Sequence, residues 1–130
     1  MASELRVTTI ANNAGTESVN TTYVVNGSAK AWNHFDGTGT VAIDNSLNVT
    51  SLVDNGTGLY ASTFTSNMSS TQYPNTGHSR HDGGVDTHYS TSNKDNYPPI
   101  TTSCGIDSFN HDGTRRDSDQ MSQVIHGDLA

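Results

Sequence analysis

The stretch of sequence that decides the fold is KAWNHFDGTGTVAIDNSLNVTSLVDNGTGLY, residues 30–60. It holds two glycine-rich turns, at residues 36–39 and 54–58, separated by runs of alternating and β-branched apolar residues. Asp-Gly and Asn-Gly turns supply positive φ at low cost, and between alternating apolar residues they are a strong hairpin signal. The stretch therefore predicts β-hairpins at the centre of the fold, with Trp32 and Phe35 anchoring the core.

Strand signals continue on both sides of this stretch, and nowhere does a period of 3.6 residues extend over eleven positions. Short runs rich in β-branched and aromatic residues, separated by turn residues, are typical of a sandwich or barrel. The sequence predicts an all-β fold, a small antiparallel β-sandwich with little helix. Besides the central hairpins, the expected strands lie at residues 1–12, 21–25, 59–65, 103–109 and 119–129.

The apolar content is low for a chain of this length. Only 22 of the 130 residues are Leu, Ile, Val or Phe, which favours either disorder or a core completed by other subunits. The charged fraction is only 15%, and the polar residues are mainly the Ser, Thr, Asn and Gly of turns and strand surfaces. We therefore expect an obligate homo-oligomer, with a monomer as the alternative.

Three regions follow from these patterns. Residues 1–28 have strand propensity but too few neighbours to form a domain, and predict an arm that docks onto a partner through Leu5, Val7 and Ile10. Residues 29–130 predict the β-sandwich, or knob. Within the knob, residues 69–102 contain all three prolines and few apolar residues, and predict a long polar loop that contacts a target.

The charge balance excludes some partners. A net charge of −7 disfavours nucleic acid and anionic membranes, which are bound by basic surfaces. No apolar run reaches the length that crosses a bilayer, so membrane insertion is not expected.

One cluster of histidines could bind a metal. His78, His81 and His88 lie with Asp82 and Asp86 in a glycine-containing stretch, and imidazole and carboxylate groups at such spacing can ligate a divalent ion. The alternative is a solvated loop in which these histidines are ordinary polar residues. No other cofactor is expected.

No catalytic constellation is present in the sequence. A serine hydrolase elbow of the form Gly-X-Ser-X-Gly is missing, and the aspartates mostly lie in turns beside Gly or Asn. Cys104, the single cysteine, falls in a predicted strand, where a small buried apolar role is more common than a nucleophilic one. We therefore do not expect an enzyme.

Three segments together carry a family resemblance: MASELRVTTI at residues 1–10, AKAWNHFDGTGTVAIDNSLNVTSLVDNGTGLYASTFTSNM at 29–68, and FNHDGTRRDSD with VIHGDLA near the end. They resemble small tail-fibre or virion-fibre proteins of marine, cyanophage-like tailed bacteriophages. The resemblance implies a non-enzymatic structural protein of the virion, homotrimeric, and attached to other virion proteins by its N-terminal arm. The loop would then face the host, where Tyr89 and Tyr97 could contact a cell-surface glycan or an outer-membrane component.

Two other functions remain open at this point. A capsid decoration, cement or head-fibre protein would clamp neighbouring coat subunits and bind nothing else, and a small depolymerase would cleave a host polysaccharide. The resemblance does not decide whether the protein lies on the tail or on the capsid surface.

Overall fold

The structure is a computed structural model that describes residues 4–80, 87–88 and 97–130. Within these residues the chain forms one short helix, α1 Thr21–Gly27, and eleven strands: β1 Thr9–Ala11, β2 Ser18–Asn20, β3 Ala29–Asp36, β4 Ala42–Leu47, β5 Val49–Asp54, β6 Leu59–Phe64, β7 Asn75–Arg80, β8 Thr87–His88, β9 Ser103–Asp107, β10 Phe109–Asn110 and β11 Gln120–His126. All pairings between these strands are antiparallel. The predicted all-β, antiparallel class is confirmed.

Most of the strands form two sheets. One has four strands in the order β4-β3-β11-β7, and the other has three in the order β5-β6-β9. The predicted hairpins are present as β3–β4 and β5–β6, each closed by one of the two glycine-rich turns. Two smaller pairs, β1–β2 and β8–β10, lie outside these sheets.

Asn48 separates the two central hairpins. It has a left-handed φ of 55°, a conformation that Asn tolerates better than most residues. Its side chain is fixed at the same time: Nδ2 donates to Ser66 O at 3.0 Å, and Oδ1 accepts from Ser66 N at 2.6 Å. The turn at Asn48 redirects the chain, so β4 and β5 belong to different sheets although they are consecutive in sequence.

Side chains from both sheets share two buried apolar clusters. The first contains Ala31, Phe64, Met68, Tyr73, Cys104 and Ile125. The second contains Phe35, Tyr60, Ile106 and Met121, with the Phe35 and Tyr60 rings edge to face at 5.1 Å. Each cluster draws on β3, β6, β9 and β11, so these four strands hold the core.

A buried polar layer lies between the two clusters. Asn33 Nδ2 donates to Ser62 Oγ at 2.8 Å, and Ser62 Oγ donates to Gln123 Oε1 at 2.8 Å. Gln123 Nε2 in turn donates to Asn75 Oδ1 at 3.1 Å and lies 3.2 Å from the Cys104 thiol. Along β3, β6 and β11 the inward positions thus read apolar, polar, apolar.

The prediction that Trp32 anchors the core is wrong. On β3 the side chains of Ala31, Asn33 and Phe35 are buried, while those of Trp32 and His34 are only partly buried. Alternation along a strand places Trp32 on the opposite face from Phe35, and the inward face is taken by the residues that contact the second sheet. Phe35 is fully buried, as expected.

The strand expected at residues 21–25 is a helix, α1. Asn20 begins the helix despite the β-prone composition that follows it. Its side chain accepts a hydrogen bond from Thr22 N at 2.8 Å, as an N-cap does. At the other end of the helix, Ser28 N donates to Val24 O at 3.1 Å.

Part of the stretch expected to be loop belongs to the four-stranded sheet. Strand β7 pairs with β11 along its whole length, from Gln120 opposite Arg80 to Ile125 opposite Asn75. Within the same stretch, the short strand β8 pairs with β10.

Candidate docking site

The N-terminal unit, residues 4–28, exposes large apolar side chains of the kind that folded domains usually bury in a core. None of its residues is buried, and only Thr21 is partly buried. The large apolar residues exposed elsewhere in the described chain number four, whereas this unit contributes seven: Leu5, Val7, Ile10, Val19, Tyr23, Val24 and Val25. Such a concentration is typical of interaction surfaces, which makes this unit the candidate docking site.

A short hairpin begins the unit. Strands β1 and β2 pair with Ile10 opposite Val19. The turn between them is held by Asn12, whose Oδ1 accepts from Thr16 N at 3.0 Å and whose Nδ2 donates to Thr16 Oγ1 at 3.0 Å. Gly15 in this turn has φ 68°, a conformation that favours glycine.

Thr21 joins the hairpin to the helix. Its backbone N donates to Thr8 O at 2.9 Å, and its hydroxyl donates to Val7 O at 2.9 Å. These bonds place the start of α1 beside the residues that lead into β1. The helix has only seven residues, too few to be stable alone in water.

Between the helix and the leading segment lies an open groove of about 550 Å³. The residues that line it are Leu5, Arg6, Val7, Thr8, Ile10, Thr21, Val24 and Val25. All three residues predicted to dock on a partner, Leu5, Val7 and Ile10, are therefore brought to one groove. Leu5 is 84% exposed, so the groove is open where a partner side chain would enter.

The charge on the groove is locally balanced. Arg6 forms a two-pronged ion pair with Glu4, with Nε to Oε1 at 3.0 Å and Nη2 to Oε2 at 3.1 Å. Both side chains are exposed, so the pair contributes little to stability. Because Arg6 is paired, the groove offers mainly apolar contact.

The end of the helix is attached to the four-stranded sheet. His126 Nδ1, on β11, donates to Gly27 O at 3.1 Å. Lys30 Nζ bonds Val25 O and lies 2.8 Å from Ser28 Oγ. These contacts tie the last turn of α1 to the start of β3 and leave the groove itself uncovered.

Sequence reasoning missed the contribution of the helix to this site. Val24 and Val25 line the groove because α1 turns back toward β1. The signal that could have located them is Asn20 placed directly before Thr21, which is a helix-start pattern.

The other predicted site residues are not brought together in the described chain. His78 is exposed on β7, while His81, Tyr89 and the side chain of His88 lie outside the described residues. Tyr97 is partly buried, and its carbonyl accepts from Gly105 N at 3.1 Å. Within the described ranges no three His, Cys, Asp or Glu side chains converge as metal ligands would.

Cys104 is buried, as expected. Burial raises the pKa of its thiol to about 12 from 9.0, so the nucleophilic thiolate is scarce near neutral pH.

At pH 8.5 we expect iodoacetamide to alkylate Cys104 about a thousandfold more slowly in the folded protein than in guanidinium, because a three-unit rise in pKa lowers the thiolate fraction by that factor. Mass spectrometry of quenched time points measures the rate, and the denatured chain is the control. Rapid labelling with an unchanged circular dichroism spectrum would contradict the buried position.

None of the helical residues that the structure describes forms a segment long and apolar enough to cross a membrane. Comparison of the chain with protein-family models, curated protein sequences and solved structures finds no match.

Proposed function

We propose that this chain is a structural protein of a tailed-bacteriophage virion, of the fibre type, which docks on the particle through its N-terminal unit. The observation that carries the proposal is the division of the molecule into two parts. Residues 29–130 contain buried apolar clusters, whereas residues 4–28 contain no buried residue and expose an apolar groove. A part that cannot bury its apolar surface within its own chain is suited to binding a partner.

In this proposal the two sheets form the β-sandwich knob. The support is that the side chains of β3 and β11, from one sheet, share both apolar clusters with those of β6 and β9, from the other. The polar layer of Asn33, Ser62 and Gln123 joins the same two sheets by hydrogen bonds.

The oligomer in the proposal is a homotrimer, and its other partners are virion proteins of the tail or the capsid surface. Three copies would bring three N-terminal units together, so that each helix is stabilised by neighbours that it lacks within one chain. The measurement is the mass of the purified protein in solution, expected at three times 13.8 kDa. A stable mass of 13.8 kDa at micromolar concentration would contradict the trimer.

The docking role is tested by placing charge in the groove. The triple variant Leu5→Asp, Val7→Asp, Ile10→Asp should keep its circular dichroism spectrum, because these side chains support no buried cluster. The variant should nevertheless be missing from phage particles purified from cells that produce it in place of the wild-type protein. Three carboxylates in an apolar interface cost several kcal/mol of binding free energy.

The matched control is Val53→Asp, which places one carboxylate on an equally exposed valine of the knob and should leave incorporation unchanged. Incorporation of the triple variant at the wild-type level would overturn docking through this unit. Absence of the wild-type protein from particles would overturn the virion role itself. A copy number tied to icosahedral symmetry would indicate a capsid role, and a few copies at the tail would indicate a fibre.

A further inference from the structure

We propose that the outer face of the four-stranded sheet binds an uncharged saccharide, with Trp32 as the stacking platform. This outer face is the side of β4, β3, β11 and β7 that points away from the three-stranded sheet. The inference rests on the sheet alone and holds whether or not the protein belongs to a virion.

Strand register places an apolar row across this face. Trp32 on β3 lies opposite Leu47 on β4 and opposite Val124 on β11. Adjacent strands are about 4.8 Å apart, so the three side chains form one continuous strip with the indole in the middle. Leu47 is 48% exposed, whereas Trp32 and Val124 are partly buried, so solvent reaches the strip most freely on its β4 side.

A polar row runs beside the apolar one. Ser122 on β11 lies between His34 on β3 and His78 on β7, because it is the register partner of both. Positions two residues apart on a strand share a face about 7 Å apart. The Ser122 hydroxyl and the two imidazoles therefore lie in a row about 7 Å from the row of the indole, close enough for one sugar ring to contact both rows.

The charged side chains at this face are engaged with protein partners. Lys30 Nζ bonds Val25 O, and Arg80 on β7 also has a partner. Asp44 Oδ2 lies 2.8 Å from His34 Nδ1, and Asp36 Oδ1 accepts from Thr38 N at 2.7 Å. The indole N–H of Trp32, by contrast, has no hydrogen-bond partner among the residues that the structure describes. Beside these partnered charges of both signs, the face presents one aromatic surface, one unused N–H donor and the neutral polar group of Ser122.

This combination fits a neutral sugar better than the other classes of partner. A pyranose ring has one face of C–H groups, which carry partial positive charge and pack on the negative face of an aromatic ring, and a rim of hydroxyls that need donors and acceptors. A protein partner would need about 800 Å² from each side with an apolar centre, and here only three apolar side chains are available. Nucleic acid needs a basic surface, whereas this chain has a net charge of −7.

Trp32 is the single tryptophan of the chain, so its fluorescence reports directly on the proposed site. Titration with the neutral linear probes maltohexaose, cellohexaose and mannohexaose to 20 mM should shift the emission maximum and saturate for at least one of them. The dissociation constant should be about millimolar, as expected of a single open platform. No saturable response to any of the three would overturn the proposal.

The variants are compared by NMR titration of backbone amides, since Trp32→Ala removes the fluorescence signal. Trp32→Ala should weaken the responding sugar by about tenfold, the effect of losing one aromatic contact, with a folded spectrum retained because the side chain is outside the core. Tyr23→Ala, which removes an exposed aromatic ring of the N-terminal unit, is the matched control and should bind as the wild type does. Equal affinity of Trp32→Ala and wild type would overturn the site.

Acrylamide quenching of Trp32 fluorescence tests whether a second copy of the chain, in place of a sugar, covers the outer face. Quenching that is independent of protein concentration agrees with an open face that a sugar can reach. Quenching that weakens as protein concentration rises would show that a second copy of the chain covers Trp32, and would overturn the saccharide proposal without affecting docking by the N-terminal unit.

Discussion

Replacing Gly58 by alanine should lower the free energy of unfolding by about 3 kcal/mol or more, because two independent costs meet at this residue. Its φ is 62°, where a Cβ is strained. That Cβ would also lie 2.5 Å from Ser108 O and 2.7 Å from Arg116 N. Both are backbone atoms, and Gly58 itself is bonded to Asp117 Oδ1 through its N–H, so the turn has little freedom to move away.

The matched control is Gly39→Ala in the other glycine-rich turn. Gly39 has nearly the same φ, 60°, but a Cβ there would meet nothing within 4 Å. Gly39→Ala should therefore lower the free energy of unfolding only by the cost of placing a Cβ at a positive φ, about 1 kcal/mol. Urea unfolding followed by circular dichroism, at one protein concentration for all variants, measures both. Equal losses for the two variants would show that the close packing around Gly58 is not a constraint in solution.

The difference between these two glycines explains what the glycine-rich turns do. The first turn approaches residues 115–118 through Gly37 N, which donates to Ser118 O at 2.9 Å. The second approaches the same segment through Gly58 and Asp117. The Tyr60 hydroxyl lies 2.8 Å from both Gly37 O and Asp117 Oδ1, and burial together with Asp117 raises its pKa, so the hydroxyl remains a donor. The turns are scaffold, and their glycines allow backbone segments to approach closely.

Local pattern was enough to predict the hairpins but not these contacts. The Asp-Gly and Asn-Gly dipeptides specify tight turns from neighbouring residues alone. That both turns converge on residues 115–118 depends on sequence separations of more than 50 residues, for which the sequence offers no local signal. The same limit applies to Trp32, since alternation defines two faces of β3 but not which of them meets the second sheet.

Strand β7 shows a second limit of local pattern. Residues 75–80 carry no apolar alternation, and Gly77 in their middle suggests a turn. In the structure a Cβ at Gly77 would meet Ile106 Cδ1 at 2.6 Å. The glycine is therefore where β7 makes room for a core side chain of the other sheet, and the strand is specified by its partner β11 more than by its own composition.

For the candidate docking site, the sequence indicated the residues before the helix and missed those on the helix. Leu5, Val7 and Ile10 were recognisable as apolar residues in a segment with too few neighbours. Val24 and Val25 were hidden because β-branched residues favour strand. The cap at Asn20 contributes about 1 kcal/mol to the helix, and the bonds of Thr21 to Thr8 and of His126 to Gly27 hold its two ends; these tertiary contacts have no local sequence signal.

The buried polar layer of Asn33, Ser62 and Gln123 helps to set the register between β3 and β11, which apolar alternation alone does not. Asn33 is the register partner of Gln123. A slip of two residues between β3 and β11 would keep every side chain on its own face but would set Asn33 opposite Met121 or Ile125. Buried amides without partners are costly, so the layer penalises slips that the alternating pattern alone would permit. Some cost remains in the native state, because Asn33 Oδ1 is buried without a hydrogen-bond partner among the described residues.

Ser62→Ala should accordingly lower the free energy of unfolding by about 2–4 kcal/mol, although it removes a single oxygen atom. Ser62 is fully buried and, within the described part of the chain, is the only link between Asn33 Nδ2 and Gln123 Oε1. Its loss leaves a buried donor and a buried acceptor unpaired, each costing about 1–3 kcal/mol.

Two comparisons separate the effect of breaking the buried hydrogen bonds from the effect of removing any serine hydroxyl. Ser66→Ala, at an exposed position of the same segment, should change stability by less than about 0.5 kcal/mol. In a Gln123→Met background, Ser62→Ala should cost about 1 kcal/mol less than in the wild type, since the acceptor that Ser62 satisfies is already gone. Additive losses in the double variant would mean that the bond from Ser62 to Gln123 contributes nothing to stability, and the polar layer would then not control the register of β11 through this link.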